Sequence, residues 1–208
     1  GVLQFNKNIN RNIEKYISKY YKNSGKSFEI YEARTDGRMV IGLGSAHVYE
    51  TAMTLHHIYG IPYIPGSGIK GGLRTIFIYE TFYKIGTDDL NQINICERVL
   101  ESFDLENDIN LNKENFLKQF TIKKINKKII PNNKIYKYFI NNTNNIKQFQ
   151  LIFGTNSQKG QVIFNDAYPT EKIKIQNDIM TPHYSEYYIN KNGNNPPPAD
   201  YYDPKLIK

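Results

Sequence analysis

One dodecapeptide, Tyr63 to Arg74 (YIPGSGIKGGLR), constrains both the fold and the function of this chain. Pro65 and Gly66 predict a turn, and Ser67 is a residue type that caps helix N-termini well. Apolar residues at helical spacing follow, namely Ile69, Leu73, Ile76 and Phe77. A helix that begins at such a glycine-rich bend presents amides without intrahelical partners, which favours a bound anion such as phosphate.

The same peptide combines positive charge with bare backbone. Lys70 and Arg74 lie four residues apart and therefore on the same flank of the predicted helix. Gly68, Gly71 and Gly72 have no side chains, so another backbone can approach closely. Unpaired amides, two cations and accessible backbone together suit a nucleic-acid strand.

The positive charge of the chain is concentrated in one segment. The 208 residues carry a formal charge of +7, and residues 115–165 hold nine lysines and no acidic residue. The rest of the chain therefore has a formal charge of −2, the difference between +7 and these nine lysines. A codon bias toward A and T would raise the lysine content everywhere, but it would not remove acidic residues from one segment. A local basic surface is the better interpretation.

Composition also limits the cellular compartments and the cofactors that we expect for this chain. Cys96 is the single cysteine, which excludes an internal disulfide and a cysteine-based zinc cluster. Its place in a helical apolar series predicts a buried, inert thiol. The sequence has no secretory or long apolar segment, so we expect a soluble cytoplasmic protein with no membrane partner and no cofactor.

The periodicity along the chain predicts helices and a few strands. Asn112 is expected to cap a helix, with Leu111 and Phe116 as a hydrophobic staple. The other predicted helices span residues 5–20, 67–83, 90–103 and 146–153, and the predicted strands are 28–33, 51–56, 161–164 and 172–176. Residues 121–145 are interpreted as a mobile insertion with some helix. This irregular mixture favours an α+β fold.

Two glycine loops are further candidates for contact with a nucleic-acid backbone. One is residues 42–45, which includes Gly44, and the other is residues 154–160 (GTNSQKG), which includes Ser157 and Lys159. Ordinary turn glycines are the alternative explanation for both loops.

The segment 178–188 (DIMTPHYSEYY) holds His183 and Tyr184, whose rings could stack on bases. An aromatic corner packed on the core, or a subunit contact, is favoured over stacking. A metal site at His47, His56 and His57 is disfavoured, because adjacent histidines in a strand point to opposite faces. A catalytic carboxylate pair, Asp166 with Asp178, is also disfavoured.

These motifs resemble a known family. YIPGSGIKGGLR is similar to the glycine-serine-leucine-lysine-glycine motif of the RAMP superfamily, the repeat-associated subunits of CRISPR effector complexes. Four more features resemble the sixth RAMP-type subunit of type III-B (Cmr) complexes. They are Gly42-Leu43-Gly44 with Glu50 and His56, Tyr59-Gly60-Ile61-Pro62, GQVIFNDAYP at 160–169, and DIMTPHYSEYY followed by Pro198-Ala199-Asp200-Tyr201.

The resemblance runs from about Gly42 to Pro204, with an unmatched insertion at about 86–145. The chain departs from the family pattern at Gly68, where a second serine is usual. It also departs at Lys208, after which family members usually continue with β structure. The resemblance implies a single RAMP domain over residues 1–208, with a ferredoxin-like (RRM-type) βαββαβ fold and a helical, Lys/Asn-rich insertion. C-terminal β structure is then expected to be missing.

The function that the resemblance implies is non-catalytic. The chain would bind guide RNA near its 3′ end within a type III-B complex that captures complementary target RNA. Its neighbours would be a backbone RAMP subunit and a capping RAMP subunit. The RNA-binding residues would be those of the motifs above: Gly44, Gly66, Ser67, Gly68, Lys70, Gly71, Arg74, Ser157, Lys159, His183 and Tyr184.

Two alternatives remain open. Some RAMP proteins mature guide RNA as metal-independent endoribonucleases, which would require His47, His56 or His183 beside a tyrosine or lysine. A protein-interaction module, whose basic face meets only an acidic neighbour, is the other alternative.

Overall fold

The computed structural model describes residues 2–22, 24–43, 52–108, 110–124, 127–171, 173–180 and 205–207. Helices dominate these residues. In chain order the elements are α1 (Val2–Lys22), α2 (Gly66–Ile85), α3 (Gln92–Ser102), α4 (Lys113–Phe120), β1 (Ile122–Lys124), β2 (Lys127–Ile129), α5 (Asn133–Asn141), α6 (Thr143–Phe153), β3 (Asp178–Met180) and β4 (Lys205–Ile207).

The chain divides into two compact units, one drawn from residues 1–63 and 168–208 and the other from residues 64–167. The second unit contains α2 to α6 and the β1–β2 pair. Its apolar core is lined by α2, α3 and α6, with α4 and α5 packed beside them. The largest fully buried side chains are Phe103, Phe116, Phe120, Phe139, Phe149, Ile95, Leu100, Ile135 and Ile146.

Two helices of the second unit, α4 and α5, begin at asparagine caps. The side chain of Asn112 accepts a hydrogen bond of 2.9 Å from the Asn115 amide, which confirms the predicted cap of α4. Asn132 caps α5 in the same way, through the Ile135 amide at 2.9 Å. These caps satisfy amides that a helix start leaves unpaired, so each helix begins at a defined residue.

Helix α5 confirms the prediction of some helix in residues 121–145, but the interpretation of this segment as mobile is wrong. Ile129, Ile135 and Phe139 in this segment are 4%, 0% and 0% exposed, and they belong to the core of the second unit. Lysine and asparagine dominate the composition, but the few apolar residues recur at helical spacing and bury one face of α5. The average polarity of the segment concealed that face.

The strand predictions hold less well than the helix predictions. The described residues of 28–33, 161–164 and 173–176 form no ladder, and in 52–56 only Leu55 pairs, through an isolated bridge to Pro62. Within the described ranges, the strands that form are two antiparallel pairs, β1 with β2 and β3 with β4. An alternating pattern describes an extended chain, but a ladder also needs a partner in register. The ferredoxin-like sheet therefore stays a prediction, while the part of the chain described here is mainly helical.

The first unit contains α1 and an irregular segment that folds back on itself. The Thr54 amide donates to the Ile41 carbonyl at 2.7 Å, and the His56 amide donates to the Ile61 carbonyl at 2.9 Å. None of the helices in the described ranges is both long enough and apolar enough to cross a membrane.

Candidate functional site

The start of α2 is capped by a distant residue rather than by Ser67. The helix begins at Gly66, with Pro65 at the N-cap position, so the prediction that Ser67 caps it is wrong. The Gly66 amide donates to Oδ1 of Asp166 at 2.7 Å. A carboxylate 100 residues away in sequence therefore occupies the anion position at this helix terminus.

Little of the predicted amide site is left for another anion. The Gly68 and Ile69 amides donate to the Pro65 carbonyl at 2.9 and 3.1 Å. Among the first four amides of α2, only that of Ser67 has no acceptor within the described part of the chain. A phosphate at this position would meet one unpaired amide and would have to share the terminus with Asp166.

Gly66 is required by packing. A Cβ atom there would overlap the carbonyl oxygen of Phe164 and lie 2.9 Å from its carbonyl carbon. The neighbouring backbone is held in place by two hydrogen bonds of 2.9 Å between Ile64 and Ala167. The glycine therefore serves the close approach of the protein's own backbone.

One face of α2 is polar in the first half of the helix and is buried in the core in the second half. Ser67, Lys70, Gly71 and Arg74 follow the i, i+3, i+4, i+7 spacing and form what we call the N-terminal stripe. The same face continues into the buried core residues Ile78, Thr81, Phe82 and Ile85. The apolar half of this face is thus covered by the core, and the polar half extends beyond it.

The open part of the N-terminal stripe centres on Lys70 and Gly71. Ser67 and Gly71 are exposed, and a Cβ placed at Gly71 would meet nothing within 4 Å. The half-buried Lys70 has no acidic partner among the described residues. Here a cation lies beside exposed helix backbone.

Arg74 is committed to the protein itself. Its guanidinium forms ion pairs with Glu97, at 2.8 Å, and with Glu101. The guanidinium also lies 5.7 Å from the centre of the Phe149 ring. Burial, the largest single effect, lowers the pKa of Arg74, but the hydrogen bonds and charges of the two glutamates outweigh it and raise the pKa overall.

Of the two cations expected to be available, Lys70 and Arg74, Arg74 is therefore neutralised by the protein's own glutamates. Arg74 and its two glutamates carry a combined formal charge of −1, which does not attract phosphate. The guanidinium instead joins α2 to α3 and to α6. Contact of Arg74 with RNA stays a prediction, and Lys70 is the residue of the stripe whose charge is not matched by an acid in the described residues.

The loop at 154–160 is closed by its own hydrogen bonds. Gly154 has φ +87°, and a Cβ there would lie 2.6 Å from the Gly160 amide nitrogen. Thr155 donates its amide to the Gln158 carbonyl at 2.8 Å and accepts from the Gln158 amide at 2.9 Å. Both glycines allow the loop ends to meet, whereas Ser157 and Lys159 lie exposed at its surface. Their contact with RNA stays a prediction.

Several predicted site residues fall outside the described residues. These are Gly44, His47, His183 and Tyr184, together with the side chain of Asp178. In the first candidate loop, Gly42 is described; it has φ +87°, and a Cβ there would overlap the Thr54 hydroxyl. Gly42 thus meets a steric requirement of the fold.

An aromatic cluster around His56 was not expected from the sequence. Measured between ring centres, His56 lies 5.0 Å from His57 and 4.7 Å from Tyr59. Tyr63 and Tyr168 are each 5.7 Å from His56. The expectation that the two histidines face opposite ways is wrong, because the chain leaves its extended conformation after Leu55 and turns. The short spacing from His56 to Tyr59 and Tyr63 was visible in the sequence, but the approach of Tyr168 was not.

His56 also accepts hydrogen bonds at Nδ1. The Ile58 and Tyr59 amides donate to this atom at 3.3 and 3.4 Å, which fixes the imidazole against the turn. Nε2 is then the nitrogen that remains for other chemistry. Nowhere in the described ranges do three potential metal ligands converge.

Comparison with known proteins gives three findings. The RAMP superfamily model matches residues 32–202. CRISPR system Cmr subunit Cmr6 of Pyrococcus furiosus is 33% identical over an alignment of 187 residues, and the match covers 82% of this chain and 50% of that protein. The chain therefore spans about half the length of this curated relative. The crystal structure of Cmr6 from Pyrococcus furiosus aligns at 30% identity with a TM-score of 0.36, over 81% of this chain and 70% of the other.

Proposed function

Because this chain belongs to the RAMP superfamily, we propose that it is a non-catalytic, guide-RNA-binding structural subunit of a type III-B CRISPR complex. The similarity to Cmr6 supports the assignment to that complex. In this role the protein contacts the sugar-phosphate backbone, and base pairing between guide and target supplies the sequence specificity. The position near the 3′ end of the guide is part of the proposal.

The observation that carries the RNA-binding role is the open part of the N-terminal stripe. Lys70 presents a charge with no acidic partner in the described residues, next to the uncovered backbone at Gly71. Arg74 supports the stripe by holding α2 against α3.

The contact is expected to be independent of base sequence and strongly dependent on salt. Replacing Lys70 with alanine should weaken binding of a labelled single-stranded RNA about three- to tenfold and reduce the salt slope by about 0.7–1. Fluorescence anisotropy over a salt series measures both. Lys84→Ala is the matched control, because Lys84 is exposed at the other end of α2, with Glu80 as its partner at 4.0 Å. Equal effects of the two substitutions would contradict the proposed contact.

Assembly with other subunits is the second part of the proposal. The partners are complementary target RNA, the backbone RAMP subunit and a neighbouring capping RAMP subunit. Co-expression of the full chain with the remaining Cmr subunits should recover it in a complex that contains guide RNA. If the isolated chain bound no RNA at low salt but still joined those subunits, a protein-interaction module would replace the RNA-binding role.

An endoribonuclease is the second candidate, and the cluster around His56 favours keeping it. This imidazole lies beside Tyr59, Tyr63 and Tyr168, and a histidine close to a tyrosine is what this second candidate needs for general acid–base catalysis. Incubation of the full chain with repeat RNA in EDTA separates the two functions. Reproducible cuts that disappear in His56→Ala, with RNA binding retained, would establish the enzyme and overturn the non-catalytic role.

A further inference from the structure

The hairpin formed by β1 and β2 places lysines directly opposite one another. Lys123 is in register with Lys128, and Lys124 is in register with Lys127. Like charges at directly opposed positions of an antiparallel pair are destabilising. The rung of Lys123 and Lys128 therefore has no structural advantage, although the hairpin is part of a well-packed unit. We call Ile122–Lys124 and Lys127–Ile129 the lysine hairpin.

The other face of this hairpin is anchored in the core. Ile122 and Ile129 are opposed in the register, and Ile129 is 4% exposed. Because side chains alternate along a strand, Lys123 and Lys128 lie on the face away from these isoleucines, and both are exposed. Burial of the isoleucines therefore fixes the outward position of this lysine pair.

Acidic residues do not compensate this charge. Residues 115–165 contain no aspartate or glutamate. The nearest preceding acid, Glu114, is paired with Lys118 at 2.8 Å. Neither Lys123 nor Lys128 has an ion-pair partner in the residues the structure describes. An arrangement that is repulsive in the free protein becomes favourable when a polyanion binds it.

We propose that the lysine hairpin is a second RNA contact, which binds the sugar-phosphate backbone without reading bases. The proposal rests on the proposed function for the identity of the polyanion, but it concerns residues away from α2. Its chemistry favours nucleic acid over an acidic protein, because lysine is depleted in protein interfaces whereas nucleic-acid interfaces are strongly positive.

Charge reversal in the full chain tests this contact. Lys123→Glu/Lys128→Glu keeps two like charges opposed and changes only their sign, so it should leave thermal stability nearly unchanged. Lys137→Glu/Lys147→Glu is the matched control, because these lysines are exposed on α5 and α6 within the same acid-free segment. Both variants alter the net charge equally.

The measurement is anisotropy with a fluorescent oligouridylate longer than a site of about 16 nucleotides, across a salt series. We expect the hairpin variant to lose about tenfold or more in affinity and about 1.4 in salt slope, since two phosphate contacts are removed. The control variant should lose much less. Equal losses in the two variants would mean a diffuse charge effect and would overturn the proposal.

A single substitution adds an independent readout. Lys128→Glu converts the repulsive rung into an attractive one, so it should raise the thermal midpoint by about 1–3 °C while RNA affinity falls. Opposite signs for stability and binding are not expected from a purely structural role. A lower thermal midpoint with unchanged RNA affinity would refute the proposal.

The outcome at Lys70 separates this proposal from the proposed function. If Lys70→Ala weakens RNA binding and the hairpin variant behaves as its control does, the hairpin proposal fails alone. If the hairpin variant weakens binding and Lys70→Ala does not, the α2 contact fails and the hairpin stands. If the hairpin variant retains RNA affinity but no longer joins the other subunits, an acidic protein is the partner and the RNA assignment is overturned.

Discussion

Replacement of Gly66 with alanine is expected to destabilise the second unit, against the usual preference for alanine in helices. The added Cβ would overlap the Phe164 carbonyl oxygen and lie 2.9 Å from the carbonyl carbon and 3.1 Å from that of Asn165. These are backbone atoms, held by the bridge between Ile64 and Ala167, and cannot rotate away as a side chain could. The segment must shift, and the 2.7 Å bond from the Gly66 amide to Asp166 shifts with it.

The magnitude follows from three contributions. Overpacking of a close contact costs about 1–3 kcal/mol, and loss of a hydrogen bond to a charged group costs about 1.5–3 kcal/mol. Alanine in a helix returns about 0.5–1 kcal/mol. Because one movement of the 164–166 segment both relieves the overlap and weakens the bond, the two costs overlap. We expect a net loss of about 2–4 kcal/mol in the free energy of unfolding.

Urea unfolding followed by far-ultraviolet circular dichroism measures this loss. Gly71→Ala is the control on the same helix, because its Cβ would meet nothing within 4 Å. That variant should gain about 0.5–1 kcal/mol from helix propensity. A Gly66→Ala protein as stable as the wild type would refute the steric reasoning, and so would a Gly71→Ala protein that lost as much stability as Gly66→Ala.

Two further predictions concern single side chains of the second unit. Arg74→Ala should lower the free energy of unfolding by about 1–2 kcal/mol, because Glu97 and Glu101 lose their partner and Phe149 loses the cation above it. Urea unfolding measures this loss. A variant with full stability and a large loss of RNA affinity would contradict the prediction. Burial raises the pKa of the Cys96 thiol to about 12, so a thiol reagent at pH 8 should react only after the protein unfolds. Rapid reaction of the folded protein would contradict that burial.

The sequence alone determined the features that depend on neighbours in the chain. The α4 cap was predictable, because Asn112 and the amide it binds are three residues apart. Helical periodicity located α2 and α3 within a few residues, since the apolar face of a helix repeats every 3.6 residues. The RAMP resemblance likewise depended on short contiguous motifs, and the match over residues 32–202 confirms it.

Only the tertiary structure decided which charges of the candidate site remain available. Arg74 meets glutamates 23 and 27 residues away, and the Gly66 amide meets a carboxylate 100 residues away. The lysines of the hairpin became opposed pairs only through the strand register. Periodicity places a residue on a face of its own element, but the partner of a charge depends on how the elements pack. For this reason local sequence located α2, whereas packing left Lys70 as the available cation of its N-terminal stripe.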